Sequence, residues 1–418
     1  MNDTPRIRTV VSCTFLAVTV TAGATACAGS EDHHPLSTRP YDAARQVSFS
    51  APADGRKADP DKALEITAKG SDGRITDVTA VDAAGHHLAG ELTADGQRWR
   101  STGSLTAGAR YTVKVATEDA DGAPGTRTFT FETAPAKRSL TVEFGPEAGK
   151  YGVGQPITAD LSLPVKDRKS RAVVERALKV RSTPSVEGSW HWVDDEKLHY
   201  RPKEYWPAGA VISATANLAG VKVGDKLYGG ESEPLKLTIG DRIEAVADAG
   251  SHYMTVRRNG EVINTIPVTT GKPGFSTRNG IKVVLGKEYF VRMRGTSVGI
   301  AAGSSESYDL PVYYATRVTW SGEYVHAAPW SVGSHGVANV SHGCVGMSTG
   351  NAAWFYETVR PGDIVKTINS YGDTMDTFGN GFGDWNLPWD KWRKGSALVE
   401  PAQSAANPPD PTRLRPSI

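Results

Sequence analysis

The residues best suited to covalent chemistry lie in one stretch that contains Ser-His-Gly-Cys at 341–344. A cysteine attacks as its thiolate, and a free thiol with a pKa of about 8.5 is mostly protonated at neutral pH. It therefore needs a neighbouring base, for which imidazole is the usual group. His342 lies two residues before Cys344 and His326 lies eighteen residues before it, and the residues alone leave the choice of base open. With either base, we expect the thiol pKa to fall well below about 8.5.

The N-terminal segment has the composition of an export signal. Two arginines precede the apolar stretch Val10–Ala26, which is too short and too rich in Thr and Gly to favour a transmembrane helix. The segment Gly23–Cys27 resembles a bacterial lipobox, with Ala24 where that motif usually has Leu. We therefore predict a signal peptide over 1–26, lipidation of Cys27, and anchoring to the outer face of the cytoplasmic membrane. Ordinary cleavage nearby, without lipidation, is the alternative.

Cysteine usage favours a catalytic role for Cys344. The chain has 3 cysteines, and Cys13 and Cys27 both belong to the N-terminal segment just described. Exported proteins usually use cysteines in disulfide pairs, so a single thiol left in the mature body of the protein requires another explanation. Nucleophilic catalysis is the explanation we favour.

Alternating apolar residues, with Gly and Pro between the runs, predict antiparallel β structure through most of the chain. Leu105–Ala109 before one predicted strand is similar to Trp206–Ala210 before another, an offset of 101 residues, and about 100 residues is the size of an immunoglobulin-like sandwich. We therefore predict a mainly β protein, with two such sandwiches followed by a β-rich catalytic domain whose one clear helix is at 349–359. The predicted boundaries are 27–40 for a lipidated tether, 41–137 and 138–240 for the sandwiches, 241–368 for the catalytic domain, 369–400 for a Trp-rich subdomain and 401–418 for a disordered tail.

Two aromatic groups permit more than one interpretation. The three Trp within 385–392 are too few for a core of their own, so we expect them to pack onto the preceding domain. Together with the loop 330–339, they are candidates for a cover that excludes water from the reacting group. The other group is predicted to belong to a sandwich core rather than to a sugar-stacking face, and it comprises Trp190, Trp192, Tyr205 and Trp206.

The sequence Ser-His-Gly-Cys-Val-Gly-Met-Ser at 341–348, with His-Ala-Ala-Pro-Trp-Ser at 326–331, resembles the signature of the L,D-transpeptidases. These are cysteine enzymes of the YkuD fold that cross-link peptidoglycan. The resemblance covers about residues 241–395, and the preceding sandwich pair and lipobox-like segment are similar to the mycobacterial and actinobacterial branch. It implies that Cys344 is the nucleophile and His326 the base. It also implies that the backbone carbonyl of Ala327, which stands where mycobacterial relatives have Ser, orients that base.

The resemblance implies roles for the residues around the nucleophile as well. His342 becomes a structural neighbour that holds the loop, beside Ser341. The backbone N–H groups of Gly343 and Cys344 are suited to stabilise an oxyanion, since glycine lets the chain turn tightly. Four residues are expected to line the substrate pocket: Tyr308, Met293, Trp330 and Gly346. For Tyr308 and Met293, core packing is the alternative. Gly346 stands where related enzymes often have Asn.

The implied reaction is acyl transfer between peptidoglycan stems. Cys344 attacks the third residue of a tetrapeptide donor and expels D-alanine, and the thioester passes to the diamino-acid amine of an acceptor stem as a 3→3 cross-link. Carbapenems are expected to acylate the same thiol, and no cofactor or metal is implied. A carboxypeptidase with the same nucleophile and a non-catalytic wall-binding scaffold are the alternatives.

Two further partner classes are disfavoured by the sequence. The formal charge of +1 gives no argument for nucleic acid. Zinc binding by His326, His335, His342 and Cys344 is disfavoured because their spacing matches no closed structural site and only Glu323 is a nearby carboxylate.

Overall fold

The computed structural model describes residues 40–52, 54–70 and 73–400. The predicted signal peptide, Cys27, almost all of the tether and the predicted tail lie outside these residues. In the described part of the chain, no helix is long and apolar enough to cross a membrane.

The first domain is a sandwich of two four-stranded sheets. Its strands are β1 Tyr41–Asp42, β2 Val47–Phe49, β3 Glu65–Ala68, β4 Gly73–Asp82, β5 Gly90–Leu92, β6 Arg98–Ser101, β7 Arg110–Asp119 and β8 Pro124–Glu132. The sheet orders are β1-β8-β7-β4 and β2-β3-β6-β5. Alternate residues of β7, Tyr111, Val113 and Val115, are buried in the core with Trp99 of β6, as the period-two pattern predicts.

The second domain has two further four-stranded sheets, a small three-stranded sheet and a helix. Its elements are β9 Ser139–Leu140, β10 Val142–Gly145, β11 Gly149–Tyr151, β12 Ile157–Leu161, α1 Arg168–Ala177, β13 Leu178–Thr183, β14 Gly188–Trp192, β15 Lys197–Pro202, β16 Val211–Ala216, β17 Lys222–Gly224, β18 Leu227–Gly229 and β19 Leu235–Ile239. The sheet orders are β10-β12-β15-β14, β11-β19-β16-β13 and β17-β18-β9. Trp190, Trp192 and Trp206 are buried, which confirms their assignment to a core.

The sequence repeat corresponds to equivalent turns of the two sandwiches. Gly108 and Gly209 have φ of +69° and +77°, a left-handed conformation that glycine adopts without strain. Gly108 lies just before β7, and Gly209 lies just before β16. Helix α1 has no counterpart in the prediction, although Asp167 caps it by accepting from the Ser170 N–H at 2.9 Å.

The third domain consists of a five-stranded and a four-stranded sheet. Its elements are β20 Ile243–Asp248, β21 Tyr253–Arg258, β22 Glu261–Pro267, β23 Gly280–Val283, β24 Gly286–Arg294, β25 Asp309–Arg317, β26 Tyr324–Ala327, β27 Val345–Met347, α2 Thr349–Thr358, β28 Ile364–Ile368 and α3 Trp389–Arg393. Short 3-10 segments of this domain lie at Gly295–Val298, Pro329–Ser334 and Asp384–Asn386, and another lies in the first domain at Ala43–Arg45. The sheet orders are β22-β21-β20-β28-β23 and β24-β25-β26-β27. The predicted helix is confirmed as α2, and the Ser348 hydroxyl caps it by accepting from the Asn351 N–H at 3.3 Å.

The Trp-rich segment packs against the second sandwich rather than over the Ser-His-Gly-Cys loop. Trp385 Nε1 donates to the Gly154 carbonyl at 2.8 Å, and Trp392 Nε1 donates to the Ser189 carbonyl at 3.0 Å. The Arg201 guanidinium lies 4.6 to 5.3 Å from the ring centroids of three Trp. The expectation that the three Trp cover the reacting group is therefore wrong, because their hydrogen-bond partners belong to the second domain. The segment meets the third domain through Asn386, which bonds to the Ile281 backbone at 2.7 and 2.8 Å.

Candidate active site

The nucleophile and base candidates are brought together by one parallel strand pair. β26 pairs with β27 so that His326 is opposite Gly346, and Cys344 immediately precedes β27. Both side chains line a cavity of about 270 Å³. Its walls are Thr269, Met293, Tyr308, Leu310, Val312, His326, Ala328, Trp330, Ser331, Val340, Ser341, His342, Cys344 and Gly346.

The His326 ring is held in one orientation by its own backbone. Its Nδ1 lies 2.8 Å from the Ala327 carbonyl oxygen, and because a carbonyl only accepts, Nδ1 carries the hydrogen. The ring is buried, and this burial lowers the pKa of His326 to about 4. At neutral pH the imidazole is therefore uncharged, and its Nε2 is the nitrogen able to accept a proton.

The Cys344 thiol is protonated in the free protein. Its Sγ donates to the Gly322 carbonyl at 3.6 Å. Burial is the largest influence on the pKa of Cys344 and raises it to about 12, with a smaller opposing effect of the Tyr324 backbone N–H. The expectation of a depressed thiol pKa is therefore wrong for this state, since a poorly hydrated site favours the neutral thiol and neutral imidazole over the ion pair.

We call residues 341–344, which carry the candidate nucleophile Cys344, the nucleophile loop, and this loop is fixed from both sides. The Ser341 hydroxyl donates to the Cys344 carbonyl at 2.6 Å and accepts from the Gly343 N–H at 3.2 Å. Thr277, which is buried, donates its hydroxyl to the Gly343 carbonyl at 2.8 Å. Gly343 has φ of +120°, which side chains other than glycine rarely adopt. Thr277 lies far upstream in sequence without a motif, so nothing in the sequence points to it.

His342 is held by a residue that the sequence analysis did not identify. Its Nε2 donates to Glu306 Oε2 at 2.7 Å, and its ring lies 4.7 Å from that of Phe275 and 5.0 Å from that of Tyr308. These contacts place His342 in the wall of the cavity, with Nε2 directed to Glu306. The role of His342 as a structural neighbour stays a prediction.

A β-hairpin formed by β24 and β25 supplies the apolar wall of the cavity. Met293 pairs with Leu310 across it, and Val312 lies further along the same face. Tyr308 stands at the start of β25, where the loop 295–308 ends. We call this hairpin, residues 286–317, the flap.

Trp330 and Gly346 lie on other sides of the same cavity. Trp330 is half-exposed, and its ring centroid is 6.1 Å from that of His326. A Cβ at Gly346 would lie 3.0 Å from side-chain carbons of Ala328 and Thr269, so glycine permits close packing there. The four residues expected from sequence to line the pocket therefore do so, while their roles with substrate stay predictions.

Comparisons with known proteins agree with this architecture. A bacterial Ig domain model matches residues 56–222, and an L,D-transpeptidase catalytic domain (YkuD) model matches residues 242–367. L,D-transpeptidase 2 of Mycobacterium tuberculosis is 37% identical over 338 residues, which are 81% of this chain and 81% of that protein. The chain belongs to the L,D-transpeptidase family. It is an acyltransferase of the YkuD type that carries Ig-like domains before its catalytic domain.

Two further members of the L,D-transpeptidase family show the same likeness. L,D-transpeptidase 5 of Mycobacterium tuberculosis is 32% identical over 89% of this chain and 79% of its own length. A solved structure of L,D-transpeptidase 3 from Mycobacterium tuberculosis with a faropenem-derived adduct is 31% identical, with a TM-score of 0.46, over 54% of this chain and 97% of its own.

A buried ion pair lies close to Cys344 in this L,D-transpeptidase. Lys282 Nζ is 2.9 Å from Glu323 Oε2, and both side chains are almost fully buried. Glu323 Oε1 also accepts from the Arg278 backbone N–H and guanidinium at 3.1 and 3.0 Å. Because Glu323 follows Gly322, this pair fixes the segment whose carbonyl accepts from the Cys344 thiol. The sequence singled out neither Lys282 nor Arg278.

The grouping of ligand-type residues bears on the zinc hypothesis. Within residues 40–52, 54–70 and 73–400, no three His, Cys, Asp or Glu side chains are arranged so that they could hold a metal ion.

Proposed function

We propose that this protein forms 3→3 cross-links in peptidoglycan, with Cys344 as nucleophile and His326 as general base. One observation carries the assignment of these roles. His326 Nδ1 donates to the Ala327 carbonyl at 2.8 Å, so the unprotonated Nε2 remains available in the cavity that also contains the Cys344 thiol. The alternative base, His342, has its Nε2 engaged by Glu306.

The first half of the reaction is acylation of the thiol. As Cys344 Sγ bonds to the carbonyl carbon of the third stem residue, His326 Nε2 takes the thiol proton. The resulting imidazolium then gives this proton to the D-alanine nitrogen, the carbon–nitrogen bond breaks, and D-alanine leaves. A neutral pair at rest suits this order, because the proton moves only while sulfur attacks and no thiolate has to be held in a buried site.

The second half transfers the acyl group to an amine. The side-chain amine of a diamino acid from another stem attacks the thioester, and His326 Nε2 accepts its proton. The sulfur leaves and recovers a proton from the imidazolium, so the neutral pair is restored. The Cys344 and Gly343 N–H groups are proposed to bind the oxyanion in both halves, and Gly343 must then leave its contact with the Ser341 hydroxyl.

Transfer requires that the amine outcompete water at the thioester. Water is present at about 55 M, whereas a held amine reaches effective molarities of about 10⁵ M or more. The apolar flap wall formed by Met293, Leu310 and Val312 reduces water near the thioester and takes the role that sequence analysis gave to the Trp-rich segment. This wall supports transfer over hydrolysis.

The function is tested with purified tetrapeptide muropeptides. We expect disaccharide-peptide dimers joined 3→3, identified by tandem mass spectrometry, together with free D-alanine. Accumulation of tripeptide and D-alanine alone, across a range of amine acceptors, identifies a carboxypeptidase instead. Absence of both products from a folded protein identifies a wall-binding scaffold.

We also propose that carbapenems acylate Cys344, because their strained amide carbonyl offers the thiol the same electrophile as the donor stem. The expected result is a stable mass increase equal to that of the drug, and one that EDTA does not prevent. No adduct on the wild-type protein, or an activity that chelation removes and Zn²⁺ restores, contradicts this proposal.

Lipid anchoring at Cys27 is proposed from the lipobox-like segment. An exported, anchored protein would hold the catalytic domain beside its wall substrate. We expect the wild-type protein to incorporate labelled fatty acid and to fractionate with membranes, and Cys27→Ala to do neither. Equal labelling of both proteins contradicts the proposal.

A further inference from the structure

One carboxylate joins three segments at the mouth of the Cys344 cavity. Glu306 lies in the flap loop 295–308, and its Oε2 accepts from His342 Nε2 at 2.7 Å. The same oxygen accepts from Lys272 Nζ. Lys272 is itself tied to the nucleophile loop, since its backbone N–H donates to the Ser341 carbonyl at 3.0 Å. The flap, the β22–β23 loop and the nucleophile loop thus meet at Glu306.

Glu306 is where the flap loop is fastened to the rest of the domain. The backbone hydrogen bonds of 295–308 stay within the flap, such as Gly295 N–H to the Tyr308 carbonyl at 2.9 Å. Among the described residues, the hydrogen bonds that join this loop to residues outside the flap all end on the Glu306 carboxylate, while the Ser297 hydroxyl donates to the Arg294 carbonyl within the flap. Removal of that carboxylate would leave the loop attached to the rest of the domain by apolar contacts alone.

The same contact shapes the cavity wall. His342 lies between the rings of Phe275 and Tyr308, and both His342 and Tyr308 line the cavity of Cys344. Because Glu306 is two residues before Tyr308, the contacts that hold Glu306 also fix the position of the Tyr308 side chain relative to the Cys344 thiol. The Lys272 and Glu306 side chains are about one-third exposed, so the contact acts through geometry more than through buried charge.

We propose that Glu306 is a positioning residue for the Cys344 site. Through His342 and Lys272 it holds the flap against the nucleophile loop, and so keeps the wall formed by Tyr308 and Met293 in place for a bulky acyl donor. This inference deepens the proposed function and rests on it. A donor that needs the wall should feel the loss of Glu306, whereas a small reagent that needs only the thiol should not.

The test compares Glu306→Ala and Glu306→Gln in the full chain. Gln keeps an acceptor oxygen without the charge, whereas Ala removes both. Asp309→Asn is the matched control, because Asp309 is an acid of the same flap whose partners, Arg292 at 2.6 Å and Arg294 at 3.5 Å, belong to the flap itself. Three quantities are measured: acylation of Cys344 by imipenem, its alkylation by iodoacetamide, and hydrogen exchange of the amides in 295–308.

We expect Glu306→Ala to slow imipenem acylation about 10-fold or more, since a misplacement of about 1 Å can cost about 100-fold. Glu306→Gln should lie between Ala and wild type. Exchange in 295–308 should become faster in the Ala variant, because fewer contacts oppose local opening. Iodoacetamide should react at the wild-type rate in both variants, and Asp309→Asn should match wild type throughout.

Unchanged exchange in Glu306→Ala overturns the proposal, as does an equal loss of rate with both reagents, which would mean that Glu306 acts on the thiol or on the whole fold. Faster exchange with unchanged imipenem acylation also overturns it. A wild-type protein that imipenem does not acylate counts against the proposed carbapenem acylation, whereas the proposed cross-linking is tested separately with muropeptides. In that case the exchange measurement still decides whether Glu306 fastens the flap.

Discussion

The nucleophile loop and the Trp-rich segment both have motif-like sequences, but their side-chain contacts serve different purposes. The contacts of the first hold the Cys344 backbone in place, such as that of the Ser341 hydroxyl with the Cys344 carbonyl at 2.6 Å. The contacts of the second join domains, since Trp392 bonds to Ser189 and its carbonyl meets the His191 ring at 2.8 Å. Proximity in sequence to a catalytic motif is therefore no guide to which domain an aromatic segment contacts.

The interface between the Trp-rich segment and the second domain, which we call the junction, also contains buried polar groups. These groups make the contact between the two domains specific. His199 Nδ1 lies 2.7 Å from Asp384 Oδ1, and both side chains are buried. Arg201 donates to the Leu387 carbonyl at 2.7 Å, and burial lowers the pKa of Arg201 to about 10. Buried polar groups are costly when they lose their partners, so separation of the two domains would expose or strand each of them.

The largest expected effect belongs to the nucleophile region. His326→Ala should reduce imipenem acylation by about 10²- to 10⁴-fold, the usual contribution of a positioned general base, without a large change in the free energy of unfolding. His335→Gln is the control, because His335 contacts Ser331 rather than the thiol. Loss of acylation in His335→Gln or His342→Ala, with His326→Ala still active, would show that the wrong base has been assigned.

Truncation at the junction should affect the stability of the protein, whereas substitution in the nucleophile region should affect acylation. A fragment of residues 241–400 lacks the sandwich on which the Trp-rich segment packs, so we expect it to be less stable and more prone to aggregate than a fragment of residues 138–400. Thermal unfolding and light scattering on the two fragments measure this. Equal stability and solubility would show that the second sandwich is only a spacer.

A single substitution sharpens the same contrast. Trp392 is fully buried, so Trp392→Ala should cost about 3–5 kcal/mol in the free energy of unfolding. Its iodoacetamide rate under native conditions should stay at the wild-type value, because Trp392 does not line the Cys344 cavity. Tyr371→Ala, at a side chain that is 94% exposed, is the control and should change neither. A selective loss of Cys344 reactivity in Trp392→Ala would return the Trp-rich segment to the active site.

The smallest expected effect is the pH dependence of acylation. The reacting form has neutral His326 and protonated Cys344, whose pKa values are about 4 and about 12. As pH rises through about 4 the base is freed, and the thiol proton is retained until far higher pH, so the rate should be flat from about pH 5.5 to about pH 9. Stopped-flow acylation by imipenem over this range measures it, and an inflection near pH 6 to 7 would favour a thiolate–imidazolium pair.

Sequence reasoning reached the nucleophile loop because its chemistry is local. The 326–331 and 341–348 motifs share one strand pair, and Asn259–Gly260, with φ of +51° and +93°, forms the hairpin turn between β21 and β22. Asn279–Gly280 is a second Asn-Gly pair, but the strand that begins there, β23, pairs with β28 and not with β22. A turn signal reports local backbone preference and does not choose the partner strand.

Long-range contacts account for what sequence reasoning missed. Glu306 and Lys272 are residue types that are common at protein surfaces, and only the fold brings them together beside His342. The buried Lys282 likewise pairs with Glu323, which lies far from it in sequence. Helix α1 has a largely polar sequence, and its buried Glu175 accepts hydrogen bonds from Trp192 and Ser396. In each case the partner lies in a segment that no short pattern connects.

The central claim is that Cys344 carries the acyl group during cross-linking. Wild-type protein and Cys344→Ala are mixed with a purified tetrapeptide stem, quenched in acid, and analysed by intact mass and by D-alanine release. We expect a wild-type adduct equal to the stem minus D-alanine, located by peptide mapping on Cys344 and chased by an amine acceptor into a 3→3 dimer. Cys344→Ala should be folded and inert. D-alanine release by folded Cys344→Ala, or a wild-type adduct on another residue, would contradict it.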